Sequence, residues 1–72
     1  MSKISDNVIA INEQGAKVCL WKERGKFGWV IYNRNGFPCK QRYPYKTKTK
    51  EQTKEIALKK FVLWSNSEIK EV

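Results

Sequence analysis

Histidine is missing altogether from this chain of 72 residues, which removes the commonest general base and the commonest neutral metal ligand. Aspartate occurs once, as Asp6, and no acids are paired at a useful catalytic spacing. The only cysteines, Cys19 and Cys39, are too few for a tetrahedral zinc site or a disulfide-rich scaffold. They are expected as reduced, buried thiols, with a disulfide between neighbouring strands as the alternative. Either thiol would need a lysine as its base, and the four glycines fall at turns rather than in a phosphate-cradling loop. No enzymatic activity, metal or cofactor is expected.

Long apolar runs are also lacking. The N-terminal stretch Val8-Ile9-Ala10-Ile11 is shorter than a signal-peptide core, and nothing approaches the ~20 residues of a membrane span. A cytoplasmic protein without membrane contact is the expectation. A chain this short buries only roughly 60% of its unfolded surface, enough for one sheet and one helix. A hydrophobic content of 40%, with nine aromatic residues, predicts a single folded domain over 1–72, with 1–6 and 66–72 frayed.

Val8 to Ile11, then Glu13-Gln14-Gly15, then Lys17 to Lys22 reads as strand, turn, strand. Arg24-Gly25-Lys26-Phe27-Gly28 punctuates the chain before Trp29-Val30-Ile31-Tyr32, which is rich in β-formers. Asn35-Gly36 predicts a type I′ hairpin, because these residues tolerate positive φ. A fourth strand should run from Phe37 to Tyr43, at a sheet edge because Pro38 and Pro44 lack amide donors and because Lys40 and Arg42 discourage further pairing. Thr49-Lys50-Glu51-Gln52 matches a capping box, so a helix is predicted from Lys50 to Trp64, with Ala57, Leu58, Phe61, Val62 and Trp64 facing the sheet. The predicted class is α+β: a three- to four-stranded antiparallel meander packed by one C-terminal α-helix. Ile56 and Leu63 fall outside the sheet-facing arc. They are expected either under a terminal segment or, with Trp64, in an exposed patch through which a monomer would become a homodimer.

What the chain does have is positive charge. Fifteen Lys and Arg against seven Asp and Glu give a net charge of +8, and the stretch from Lys22 to Lys60 holds twelve bases and three acids, a net +9. The flanks are therefore nearly neutral, and the charge is localised. Strand alternation lets Lys40 and Arg42 share one face, while Trp29 and Ile31 face opposite to Val30 and Tyr32. A sheet covered by one helix leaves its second face open, and that face carries aromatics in either register. Basic residues among aromatics suit phosphate neutralisation combined with stacking on bases. Lys46-Thr47-Lys48-Thr49-Lys50 leads into a helix N-terminus whose amides favour anions, although the same run also reads as a solvated loop before an N-cap.

Between Gly28 and Phe61 the chain resembles the arm-type DNA-binding domain of phage and transposon tyrosine-recombinase integrases. The resemblance rests on Trp29-Val30-Ile31, the hairpin Asn33-Arg34-Asn35-Gly36, Lys40-Gln41-Arg42, and Tyr45-Lys46-Thr47-Lys48-Thr49-Lys50-Glu51. It implies a three-stranded sheet backed by a helix, with Trp29, Ile31, Arg34, Lys40 and Arg42 in a DNA major groove. The apparent first strand and the inserted Tyr43-Pro44 depart from the family pattern, as does the lack of a catalytic domain. A free-standing copy implies a small accessory binder encoded by a phage or mobile element.

These readings converge on a non-catalytic protein that binds DNA or RNA through the phosphate backbone. The expected contacts are Lys22, Arg24, Lys26, Trp29, Arg34, Lys40, Arg42, Tyr43, Lys46, Lys48 and Lys50. Twelve lysines against three arginines favour point-charge contacts over bidentate base reading, hence low sequence specificity. The competing class is a basic protein-interaction module or inhibitor that docks on an acidic partner protein.

Overall fold

The computed structural model describes residues 7–72, so the expected fraying of 1–6 lies outside the described residues. Five strands and one helix follow in order: β1 (Asn7–Asn12), β2 (Lys17–Glu23), β3 (Lys26–Tyr32), β4 (Pro38–Arg42), α1 (Lys50–Ser65) and β5 (Ile69–Glu71). The strands form one sheet in the order β4-β3-β2-β1-β5, every pair antiparallel. The expected α+β meander with a C-terminal helix is present, and one strand is added to it.

That addition corrects the expectation of a frayed tail. β1 would otherwise leave a row of unpaired amides and carbonyls at the sheet edge. Asn66 ends α1 in the left-handed conformation and turns the chain back, so Ile69, Lys70 and Glu71 pair with Asn12, Ile11 and Ala10. The Val72 amide adds a bond to the Ile9 carbonyl at 3.1 Å, and the Ile69 side chain packs against the core.

The turns differ in kind from the prediction. Among the described non-glycine residues only Arg24 and Asn66 have positive φ, so Asn35 does not make a type I′ turn. Instead, Gly36 bonds back to Asn33 and itself takes φ of 87°, a three-residue loop of the bulged kind. The Asn33 side chain holds it by accepting from the Asn35 and Phe37 amides at 2.9 and 3.0 Å. Asn12 does the same with the Gln14 and Ala16 amides, and Gly15 takes φ of 89°. The two-residue reversal with both φ positive is Arg24-Gly25, which lets β3 begin at Lys26, three residues before the expected Trp29.

Helix α1 starts where the capping box predicts. The Gln52 amide donates to Thr49 Oγ1 at 3.2 Å, and the Thr49 amide donates to Gln52 Oε1 at 2.9 Å. Thr53, Ala57 and Phe61, spaced four apart, form its fully buried stripe. Thr53 tolerates burial because its hydroxyl donates to the Thr49 carbonyl at 2.8 Å. The stripe lies on β1, β2 and β3, over Ala10, Val18, Leu20, Trp29 and Ile31. Val62, expected on this face, is 41% exposed because it sits about 100° around the helix from Phe61.

Candidate nucleic-acid interface

Pairing fixes the direction of every strand side chain. Trp29 stands opposite Leu20 and Arg42, and Ile31 opposite Val18 and Lys40, so all six share the helix-covered face. Trp29 is only 5% exposed and Ile31 is fully buried, which removes both from the accessible sheet surface that the family resemblance implied. The reason is that both alternating sets of β3 are apolar, and the helix has packed on the Trp29 set.

Lys40 and Arg42 do share a face, as the alternation requires. It is the face of the helix, but β4 is the outermost strand and α1 packs on its inner neighbours. The two cations therefore emerge beside the helix, in a groove of about 470 Å3 whose lining also includes Trp29, Tyr45 and Lys60. The Arg42 guanidinium stands 4.4 Å from the centroid of the Tyr45 ring, and the Tyr45 hydroxyl accepts from the Trp29 indole N–H at 3.1 Å. A core hydrogen bond thus fixes the ring, and the ring steers the guanidinium. Three cations and no carboxylate line this groove, an arrangement suited to a phosphate.

A second group forms at the adjoining end of the sheet. After Arg42 the chain bends across Gly28, where a Cβ would collide with the Arg42 carbonyl oxygen and stand 3.0 Å from the Pro44 nitrogen and the Trp21 indole nitrogen. The bend docks the 45–50 segment on the β2–β3 hairpin: the Tyr45 amide donates to the Phe27 carbonyl at 3.0 Å, and Lys26 Nζ donates to the Lys46 carbonyl at 2.9 Å. Lys22, Arg24 and Lys26 on one segment are thereby joined to Lys46, Lys48 and Lys50 on the other. All six are exposed; Lys26 is held by its bond to the Lys46 carbonyl, and Lys22 leans over the Phe27 ring at 5.8 Å.

The helix-free face carries Cys19, Trp21, Val30, Tyr32, Gln41 and, beyond β4, Tyr43. Trp21 and Tyr43 meet edge to face with centroids 6.3 Å apart, and Tyr43 is 71% exposed. Lys17 Nζ lies 5.7 Å from the Tyr32 ring centroid.

The predicted contacts thus divide. Lys40 and Arg42 lie in the groove; Lys22, Arg24, Lys26, Lys46, Lys48 and Lys50 lie at the adjoining end; Tyr43 is on the helix-free face; Trp29 is in the core. Arg34 sits at the opposite end, where its Cβ lies 3.2 Å from the position a Gly15 Cβ would take. Lys60 and Trp21 were not among the expected contacts. Lys60 had a signal, since it directly precedes Phe61 on the flank of the buried stripe.

Two further expectations change. Cys19 is buried as expected, but Cys39 is exposed because it is the extra residue of a bulge between Ile31↔Lys40 and Tyr32↔Pro38. The patch of Ile56, Leu63 and Trp64 does not form: Trp64 stacks on Phe61 at 6.3 Å and packs on the core, Ile56 is half-buried, and Leu63 is exposed beside Val62. Among the described residues no helix is long and apolar enough to cross a membrane, and no three His, Cys, Asp or Glu side chains group as metal ligands.

Fold and surface together define a small α+β domain with a basic edge and an aromatic open face. No protein-family model, no curated protein and no solved structure matches the chain.

Proposed function

We propose that the protein is a non-catalytic nucleic-acid binder that engages the phosphate backbone with low sequence specificity. One observation carries the reading: the bend over Gly28 gathers six basic residues from two distant segments beside a groove holding Lys40, Arg42 and Lys60. Nine cations on one continuous edge neutralise a polyanion by releasing its counterions. Seven of the nine are lysines, Arg24 and Arg42 being the exceptions, so base reading contributes little. The resemblance to arm-type DNA-binding domains points to the same class of ligand.

The competing reading is a basic module that docks on an acidic protein. The observation in its favour is the apolar surface of Val62 and Leu63 on the solvent side of α1, with Leu63 76% exposed and the half-buried Leu58 at its margin. One experiment separates the two. Charge reversal at Lys26, Arg42 and Lys46 should each weaken binding to labelled DNA and RNA several-fold and reduce the salt dependence, whereas Lys59→Glu, on the outer side of α1, should have a much smaller effect. Equal effects at all four positions would remove the proposed edge. No binding of wild-type protein at low salt would sink the reading itself.

A further inference from the structure

The helix-free face of the sheet is more than the back of the scaffold. It holds two open slots, one of about 230 Å3 between Trp21, Val30, Tyr32, Pro38 and Gln41, and one of about 200 Å3 between Val8, Lys17, Tyr32 and Gly36. Tyr32 lines both, Lys17 of the second slot holds its ammonium over the Tyr32 ring at 5.7 Å, and the walls of the first are mainly apolar and aromatic. We propose that this face binds single-stranded nucleic acid, seating one unpaired base in each slot beside Tyr32, with the Trp21–Tyr43 pair extending the stacking surface. The inference rests on the phosphate-binding reading above and names the form of nucleic acid that the protein prefers.

Three features select this occupant. Each slot has room for a base, and Gln41 places an amide donor and acceptor in the lining of one, suited to the polar edge of a base. The register puts Lys17, Lys26 and Lys70 on this same face with Glu23 as the only acid among the paired strand residues there, so the charge matches a phosphodiester chain. β4 also divides its side chains between the two surfaces: Gln41 points to the slots, while Lys40 and Arg42 point to the basic groove. A strand lying across this edge can place bases on one side and phosphates on the other.

A duplex cannot use the slots in this way. Its bases are stacked and paired, and present only their edges in the grooves, whereas stacking on aromatic side chains needs splayed bases. Stacking is tolerant of sequence, in keeping with the low specificity expected from a lysine-rich surface.

The test is equilibrium binding of the whole protein to thymidine and uridine oligomers of about 12 nucleotides, within the span of a small sheet module, and to a DNA duplex of the same length. Trp21 reports contact with the face. Wild-type protein should bind either single strand at least about tenfold more tightly than the duplex, with tryptophan quenching by the single strands only. Tyr32→Ala should lose about tenfold in single-strand affinity and leave duplex affinity and the salt slope unchanged. Because Tyr32 is half-buried, Tyr43→Ser, at an exposed position, serves as the second variant and should lose severalfold with the fold intact. A preference between the thymidine and uridine oligomers, which differ in both the 2′-hydroxyl and the 5-methyl group, would support the proposal when both still bind more tightly than the duplex. Equal affinity for duplex and single strand, or losses in the variants that are the same for both, would overturn it while leaving phosphate binding standing. Failure to bind any of the three polymers would overturn both readings together.

Discussion

The two faces of the sheet are built from the same kind of alternating apolar residues and end in different states. On one, Val18, Leu20, Trp29 and Ile31 are sealed by Thr53, Ala57 and Phe61 of the helix. On the other, Cys19 and Val30 are nearly as buried without a helix over them, and they share an open slot with Trp21, Tyr32 and Gln41. The difference teaches that burial on the open face does not depend on α1. That face keeps large rings at the surface, where a ligand can reach them, while the covered face holds the fold.

The largest expected effect breaks the covered face. Phe61→Ala removes a fully buried ring from the centre of the helix contact and should cost about 3–5 kcal/mol. Tyr43→Ala on the open face should change stability by no more than about 0.5 kcal/mol, since its ring is largely in solvent. Chemical denaturation of the two variants measures the contrast directly, and comparable losses would show that the open face is structural. A smaller effect is expected at the entry to the helix. Thr49→Ala removes the side-chain half of the capping box and should cost about 0.5–2 kcal/mol. It should leave the exposure of Trp21 to an added quencher unchanged, because the open face is held by strand pairing.

Much of this arrangement can be read from the residues. The capping box, the edge position of a strand bearing Pro38, and the four-strand meander follow from local chemistry that tertiary packing leaves alone. The choice of face does not, because Trp29 and Ile31 are as apolar as Val30 and Tyr32, and only the position of α1 distinguishes them. The Asn-Gly pair misled for a definable reason. Asn33 uses its side chain to accept two amides and so builds a three-residue loop, and Asn12 does the same two hairpins earlier. Read as a repeated Asn-x-x-Gly, Asn12-Glu13-Gln14-Gly15 and Asn33-Arg34-Asn35-Gly36 carried that signal. β5 is three residues long with one apolar side chain, too little for a pattern, and it exists because β1 offers it an edge.

The candidate site was legible as composition more than as geometry. The excess of charge between Lys22 and Lys60 identified the basic residues. Their division into a groove and an end depends on the bend over Gly28, and a glycine preceding a tryptophan gives no hint that the Arg42–Pro44 backbone will cross it. Tyr45 shows the same limit: its role in orienting Arg42 comes from a bond to the buried Trp29, sixteen residues away in sequence.

Phosphate engagement is measured by the dependence of nucleic-acid affinity on salt for the wild-type protein. Engagement of at least five cations on the basic edge predicts a linear fall of log K with log salt and a slope steeper than about −3 for a single strand. A slope near zero, or no measurable binding at low salt, would contradict it.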